Sequence, residues 1–474
     1  MAIERLEANR RHHLAAVSIL LIVALLSGFI LQRQITADPI VGDGYQNLVT
    51  ASNLAQLGVF SSTPGGTPDM LREPGWPWLL SLFIKASPLR EASVAQLASD
   101  YAAVLKWMNV TLYALMSGVL AAYVFLRLRS LSAAAMAVLL GLLLYATTPR
   151  LINYLNNEAL ATLLLLLASI LFHEVIRGRC SSSLFVWPLV LGALWGCLAL
   201  SKAQFLYICI LPLLVLGYFQ RTKFAMAVLG FALLVSPWLV RNETLFDQPS
   251  LAVRGKAVLA VRLALTVEPT RKERSCMFFA FTHPALQHYL KGMWGITAED
   301  FQQGGRCQRL NRELCFDMGE KKVSCAPFRE DLANGDWQSK VQYFYRGYAL
   351  GSLIDAGQLR FSDAIHIDTS MLRNYLETLP LFFWRGLGVS GFPWLALGLF
   401  LAEGLLLFTS RWPLALLSVS AHAFHVLLTH NMPRYHALEY PIMALSAVCL
   451  AASLLNWFRE KRKAQDRERG LQSP

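Results

Sequence analysis

Apolar residues run through this chain in long blocks. Stretches near 14–32, 103–126, 131–147, 157–175, 184–200, 203–219, 224–240, 391–409, 412–428 and 438–457 are almost wholly apolar. A helix needs about 20 such residues to cross the hydrocarbon core of a bilayer, and a helix satisfies its own backbone polar groups there. The pattern therefore predicts an all-α polytopic membrane protein of about ten spans. The first block follows MAIERLEANRRHH and lacks a small-residue cleavage pattern, so it is expected to be a retained anchor rather than a secretory leader.

Two long polar intervals break the series, at 33–102 and 241–390. In the first, Leu48, Ala51, Leu54 and Ala55 fall at helical spacing and Gly58 supplies a stop, predicting an amphipathic helix along the membrane surface. A turn-rich SSTPGGTPDM follows, and then LREPGWPWLLSLFIKA, a short amphipathic or re-entrant helix opened by Pro74 and Pro77. The expected organisation is a membrane module over 1–240 that carries the loop 33–102, a loop domain over 241–390, and C-terminal helices with a tail over 391–474.

Charge sets the orientation. Arg5, Arg10 and Arg11 precede the first block, and Arg127, Arg129, Arg177, Arg179, Arg221 and Lys223 follow the second, fourth and sixth. With ten spans these fall on the side of the basic tail FREKRKAQDRERG, which is cytoplasmic by the positive-inside rule. Both polar intervals then lie outside. The net charge of +12 belongs largely to these flanks, so it implies no nucleic-acid partner. Hydrophobic residues make up 55% of the chain and charged residues 16%, which excludes an ordinary water-soluble domain.

Four of the eight cysteines, Cys276, Cys307, Cys315 and Cys325, lie in the second external interval. The arrangement favours two disulfides in an oxidising compartment, with three pairings open. A zinc site is the weaker reading, because no Cys-x-x-Cys occurs and His288 completes no ligand spacing.

Asp43 stands in Gly-Asp-Gly-Tyr about ten residues after the first block, where the glycines let backbone approach a ligand. A carboxylate there can take a proton from a hydroxyl nucleophile or help hold a cation; it can equally close an Asx-type turn. Glu158 opens the fourth block, either as a charge at a helix N-terminus or as a functional acid at the membrane boundary. Arg72, Arg150, Lys202, Arg241 and Arg434 are external cations, against the positive-inside trend. Lys202, in the tight SKAQ junction, suits a lipid phosphate or simple snorkelling. His422 and His425 fall within a block and suit polar packing contacts between helices.

The string DGYQ…LGVFS followed by REPGWPWLLSL resembles the first external loop of the GT-C glycosyltransferases, in the branch of the lipopolysaccharide-core galacturonosyltransferases, lipid A aminoarabinose transferases and protein mannosyltransferases. Asn157-Glu158-Ala159-Leu160, Leu198 to Lys202, Pro237-Trp238-Leu239-Val240-Arg241-Asn242, and Arg434-Tyr435 with Pro441 resemble later motifs of that family in the same order. Glu73 stands where the family often has proline, Trp76 where tyrosine is usual, and Ser201-Lys202 where Thr-Arg is common, which gives up bidentate phosphate recognition. The resemblance implies a GT-C-like helix bundle and inverting transfer of a sugar from a polyprenyl-phosphate donor to an external lipid, glycan or protein acceptor, an acidic lipid or glycan fitting the external cations. It makes Asp43 the catalytic base, Glu158 its assistant, Lys202, Arg241 and Arg434 the donor-phosphate ligands, and Tyr45, Arg72, Glu73 and Trp76 the substrate loop. It leaves a Mg or Mn requirement open, as it does the transporter alternative. The expected location is a bacterial inner membrane with the site facing the periplasm.

Overall fold

The structure is a computed structural model that describes residues 2–146, 150–179, 185–252, 275–276, 278–279, 295–296, 300, 376–384, 393–428 and 437–471. The described residues are helical and contain no strand. Among the described residues five helices are long and apolar enough to cross a membrane: Arg10–Gln34, Ala102–Leu128, Glu158–Ile176, Arg221–Phe246 and Tyr440–Arg462. Five shorter apolar helices, Leu131–Leu143, Val186–Ser201, Phe205–Phe219, Trp394–Leu406 and Pro413–Leu427, fall on the remaining apolar blocks.

The chain divides into two compact units. The first comprises Met1–Ala252, Trp394–Ala421 and Ala437–Pro474; the second comprises Val253–Pro393 and His422–His436. In the second unit Cys276 and Phe279 are buried, Phe278 stacks on Trp384 with centroids 5.2 Å apart, and His422 meets Phe383 edge to face at 5.2 Å. Cys307, Cys315, Cys325 and Arg434 lie outside the described residues.

We number the helices α1 (Ala2–Leu31), α2 (Gly42–Leu57), α3 (Gly75–Lys85), α4 (Val94–Ala98), α5 (Ala102–Leu128), α6 (Leu131–Ala146), α7 (Arg150–Asn153), α8 (Glu158–Ile176), α9 (Val186–Ser201), α10 (Phe205–Ile208), α11 (Ile210–Phe219), α12 (Arg221–Phe246), α13 (Pro393–Leu406), α14 (Pro413–Leu428) and α15 (Tyr440–Leu471). α1 lies along α5, and Leu21, Leu25 and Phe29 on its outer side are exposed, which suits a lipid-facing helix. α12 lies along α9 and continues to Phe246, past residue 240 where the sequence suggested that the loop begins. Their approach depends on missing side chains: a Cβ on Gly192 would come within 1.9 Å of the Ala227 carbonyl oxygen, and one on Gly230 within 2.1 Å of the Leu189 carbonyl oxygen. Small residues give bilayer helices this kind of backbone contact, since lipid offers no hydrophobic drive to associate.

The loop 33–102 folds as a helical layer over the N-terminal end of α5. Leu48 and Ala51 of α2, Trp76, Leu80 and Ile84 of α3, Leu97 of α4 and Leu105 of α5 form one buried cluster, with Tyr45 packed against it. α2 ends at Gly58, whose φ of 72° provides the left-handed stop that the sequence indicated. Every residue of α2 from Asn47 to Asn53 is buried, so the amphipathic helix expected here is covered on more than one face. α3 carries the exposed apolar edge instead, through Trp78 and Leu82.

Candidate functional site

α2 places Asp43 in its first turn, after the extended residue Val41. A carboxylate there is favoured by the unpaired N–H groups of the helix end. Arg72, only 5% exposed, returns from the loop and donates from Nη2 to Asp43 Oδ1 at 2.7 Å, to the Asp43 carbonyl at 3.0 Å and to Gln46 Oε1 at 2.6 Å. This three-way grip fixes the Asp43 carboxylate while leaving its side chain 29% exposed. Glu73 beside it is partly exposed.

The turn between α7 and α8 ties this loop to the bundle. The Leu155 carbonyl accepts from Trp76 Nε1 at 3.1 Å and from Asn47 Nδ2 at 3.2 Å. Two glycines permit the contact: a Cβ on Gly44 would sit 3.1 Å from the Leu155 nitrogen, and one on Gly75 would sit 2.9 Å from the Ser201 nitrogen. Trp76, assigned to the substrate loop by resemblance, is fully buried. It anchors the loop from behind and presents no face to a ligand.

Glu158 follows this turn as the first residue of α8, and Lys202 caps the C-terminus of α9. Lys202 Nζ lies 3.3 Å from Glu158 Oε1, with the two side chains 5% and 6% exposed. Asn157 Nδ2 donates to the Ser201 carbonyl at 2.6 Å and locks the two helix ends together. The two residues that the sequence offered separately, an acid and a phosphate-binding cation, are thus one buried ion pair.

Arg241, near the end of α12, donates from Nη1 to the Asp69 carbonyl at 3.2 Å and to Asn242 Oδ1 at 2.6 Å. Its guanidinium packs on Trp238, Phe60 and Phe246 at 4.5, 5.5 and 5.5 Å from the ring centroids. These contacts hold α12 to the same loop, three residues before Arg72. Arg150 opens α7.

Sequence reasoning missed the supports. Lys106, 1% exposed, donates to the Thr36 and Asp38 carbonyls at 2.8 and 2.7 Å. Asn109 donates to the Ile152 and Tyr154 carbonyls at 3.0 and 2.8 Å, and Asn153 bridges the Thr36 amide and the Gln34 carbonyl at 2.8 and 2.7 Å. Together they hold the ends of α1, α5 and α7 around the loop. The visible signal was a single charged residue within an apolar block. At the opposite end of α5, Glu174 of α8 pairs with Arg127, and Tyr123 OH donates to Glu174 Oε1 at 3.0 Å. Among the described residues no group of three or more His, Cys, Asp or Glu could hold a metal ion.

No protein-family model matches the sequence, and neither does any curated protein. Among solved structures, an apo oligosaccharyltransferase from Archaeoglobus fulgidus aligns with 95% of this chain and 52% of its own, at a TM-score of 0.44 and 14% identity. This chain therefore spans about half the length of the structure it matches.

Proposed function

We propose that the protein is a GT-C-type integral membrane glycosyltransferase that moves a sugar from a polyprenyl-phosphate donor to an acceptor hydroxyl on the extracytoplasmic face. One observation carries the reading: Asp43, held by Arg72, stands on a loop whose anchor, the Leu155 carbonyl, lies three residues before the buried Glu158–Lys202 pair. The loop that carries the Asp43–Arg72 pair is thus tied to the turn from which the Glu158–Lys202 pair starts, which supports grouping residues that the family resemblance singles out in separate parts of the chain.

In the proposed reaction the acceptor oxygen attacks the anomeric carbon from the side opposite the phosphate, and configuration inverts. Asp43 receives the acceptor's proton as general base, while the bond from the anomeric carbon to the phosphate oxygen breaks. Polyprenyl phosphate departs with the bonding pair, and cations stabilise the charge that builds on it. Arg241 suits that role, since Nη1 is committed to the protein while Nη2 is not; Arg434 is its proposed partner. Lys202, enclosed with Glu158, is assigned to holding that acid in place. Arg72 is a positioning residue that aims the Asp43 carboxylate. Ten spans, cytoplasmic termini, two disulfides among the external cysteines and an inner-membrane location facing the periplasm complete the proposal.

The test is transfer of labelled sugar from polyprenyl-phosphate donors to membrane lipids or envelope polymers by the reconstituted full chain. Asp43→Asn, with an unchanged unfolding temperature, is expected to abolish transfer, and Arg241→Ala to reduce it strongly. Full activity of Asp43→Asn would remove Asp43 as base. Absence of transfer by the wild type with every donor would favour transport of a lipid-linked substrate.

A further inference from the structure

The far end of α5 from the Asp43 loop, about 40 Å away along its 27 residues, gathers cations around the C-terminus of α8. Arg127, at the end of α5, pairs with Glu174 of α8, and Arg179 Nη1 stands 3.9 Å from the same carboxylate. Lys223, in the first turn of α12, donates from Nζ to the Val175 carbonyl at 2.9 Å. Gln220, just before α12, donates to the Ile176 carbonyl at 3.1 Å. Arg177 and Arg221 flank these attachments in sequence, and Arg127, Arg177, Arg179 and Arg221 are all exposed. None of these residues belongs to the Asp43 site.

Topology asks for basic residues beside a span, but not for their convergence on one helix end. Five cations less the Glu174 carboxylate leave four positive charges. Acids to offset them are lacking, since residues 127–157 and 175–242 contain no Asp or Glu. Glu7 lies on the stretch of α1 whose His12 meets Phe125 of α5 at 4.9 Å, and it has Arg11 at 3.9 Å. Exposed guanidinium forks match the oxygens of a phosphate. Beside them α11 presents an apolar face: Leu211, Leu214 and Tyr218 follow helical spacing and are 46%, 61% and 85% exposed, with Phe219 next to them. Aromatic rings at the level of the charges, with aliphatic side chains running on from them, are what a lipid's glycerol region and acyl chains meet. A soluble phosphate makes no use of that face.

We propose that this cluster binds the headgroup of an anionic phospholipid, its phosphate against Arg177, Arg179 and Arg221 and its acyl chains along the face of α11 that bears Leu211, Leu214 and Tyr218. The site is independent of the glycosyltransferase reading and rests only on these helices crossing a bilayer. A bound lipid fastens the end of α8 to α11 and α12, so the stability of the bundle follows the anionic lipid content around it.

The test titrates the full chain in detergent micelles with phosphatidylglycerol, phosphatidylcholine or inorganic phosphate, reading bound lipid by native mass spectrometry and the unfolding temperature in parallel. Phosphatidylglycerol is expected to stay bound and to raise the unfolding temperature at concentrations where the other two do neither. Arg177→Gln with Arg179→Gln should weaken phosphatidylglycerol binding about thirtyfold, at about fivefold for each basic residue beside an anionic headgroup. Arg177→Lys with Arg179→Lys should restore most of it, because the charge is kept. Arg459→Gln with Lys461→Gln, on the C-terminal tail, should leave it unchanged. Equal binding of the two lipids, a rise in unfolding temperature with phosphate alone, or equal losses in the tail and cluster variants overturns the proposal. If the Arg177→Gln, Arg179→Gln protein does not fold, the comparison of the two lipids and phosphate decides alone.

Discussion

Removing one member of the Glu158–Lys202 pair should be far more damaging than removing both. With Nζ and Oε1 3.3 Å apart and an effective dielectric of about 20, the attraction is about 5 kcal/mol. Both side chains are about 95% enclosed, so solvent screens little of it. Lys202→Met takes the ammonium at 3.3 Å away from the buried carboxylate, and Glu158→Gln takes the carboxylate away from the buried ammonium; each should destabilise by about 3–5 kcal/mol. Lys202→Met with Glu158→Gln removes both charges, and should lie within about 1–2 kcal/mol of wild type because desolvation of the pair is also relieved. The assay is reversible unfolding in mixed micelles with increasing dodecyl sulfate, followed by tryptophan fluorescence, with the four proteins forming a double-mutant cycle. Single losses below about 1 kcal/mol, or losses that add in the double variant, would refute the claim that the pair is buried and coupled.

Gly192→Leu should separate α9 from α12, since even a Cβ there meets the Ala227 carbonyl at 1.9 Å; increased trypsin cleavage near Arg221 and loss of folded yield would register it. Trp76→Phe removes the donor to Leu155 and is expected to destabilise by about 1–2 kcal/mol, with faster hydrogen exchange at residues 153–157 but not in α15. Lys106→Met strips two loop carbonyls of their donor and should lower stability by about 2–3 kcal/mol by the same micelle assay, whereas exposed Arg90→Met should change it by less than about 0.5 kcal/mol.

Much of the helical layout is legible in the sequence, because apolar blocks dictate it: each of the ten blocks falls on an apolar helix, and Glu158 marks a helix start. Gly58 likewise ends α2 where expected. Pairings are harder to read. Arg72 and Asp43 are separated by 29 positions, and nothing in either segment names the other. Lys202 looks like an exposed interfacial cation until α9 is seen to end against the first turn of α8. The full enclosure of α2 from Asn47 to Asn53 could not be read, because an amphipathic stripe identifies one buried face but is silent on whether the opposite face is covered too. Lys106, Glu174, Glu403 and Glu439 each interrupt an apolar block, and that interruption is the signal that could have drawn attention to them.

The hub of the site is a main-chain oxygen, and this reverses the usual relation between importance and substitution. Any apolar residue of suitable size at 155 presents the same carbonyl, so drift at that position leaves the junction intact. Constraint falls instead on the residues that reach it: position 76 donates from a ring nitrogen, position 47 from an amide, and a side chain at position 44 would press its Cβ to 3.1 Å from the Leu155 nitrogen. In a set of diverged relatives the most variable residue of this junction would then be the one on which the others converge.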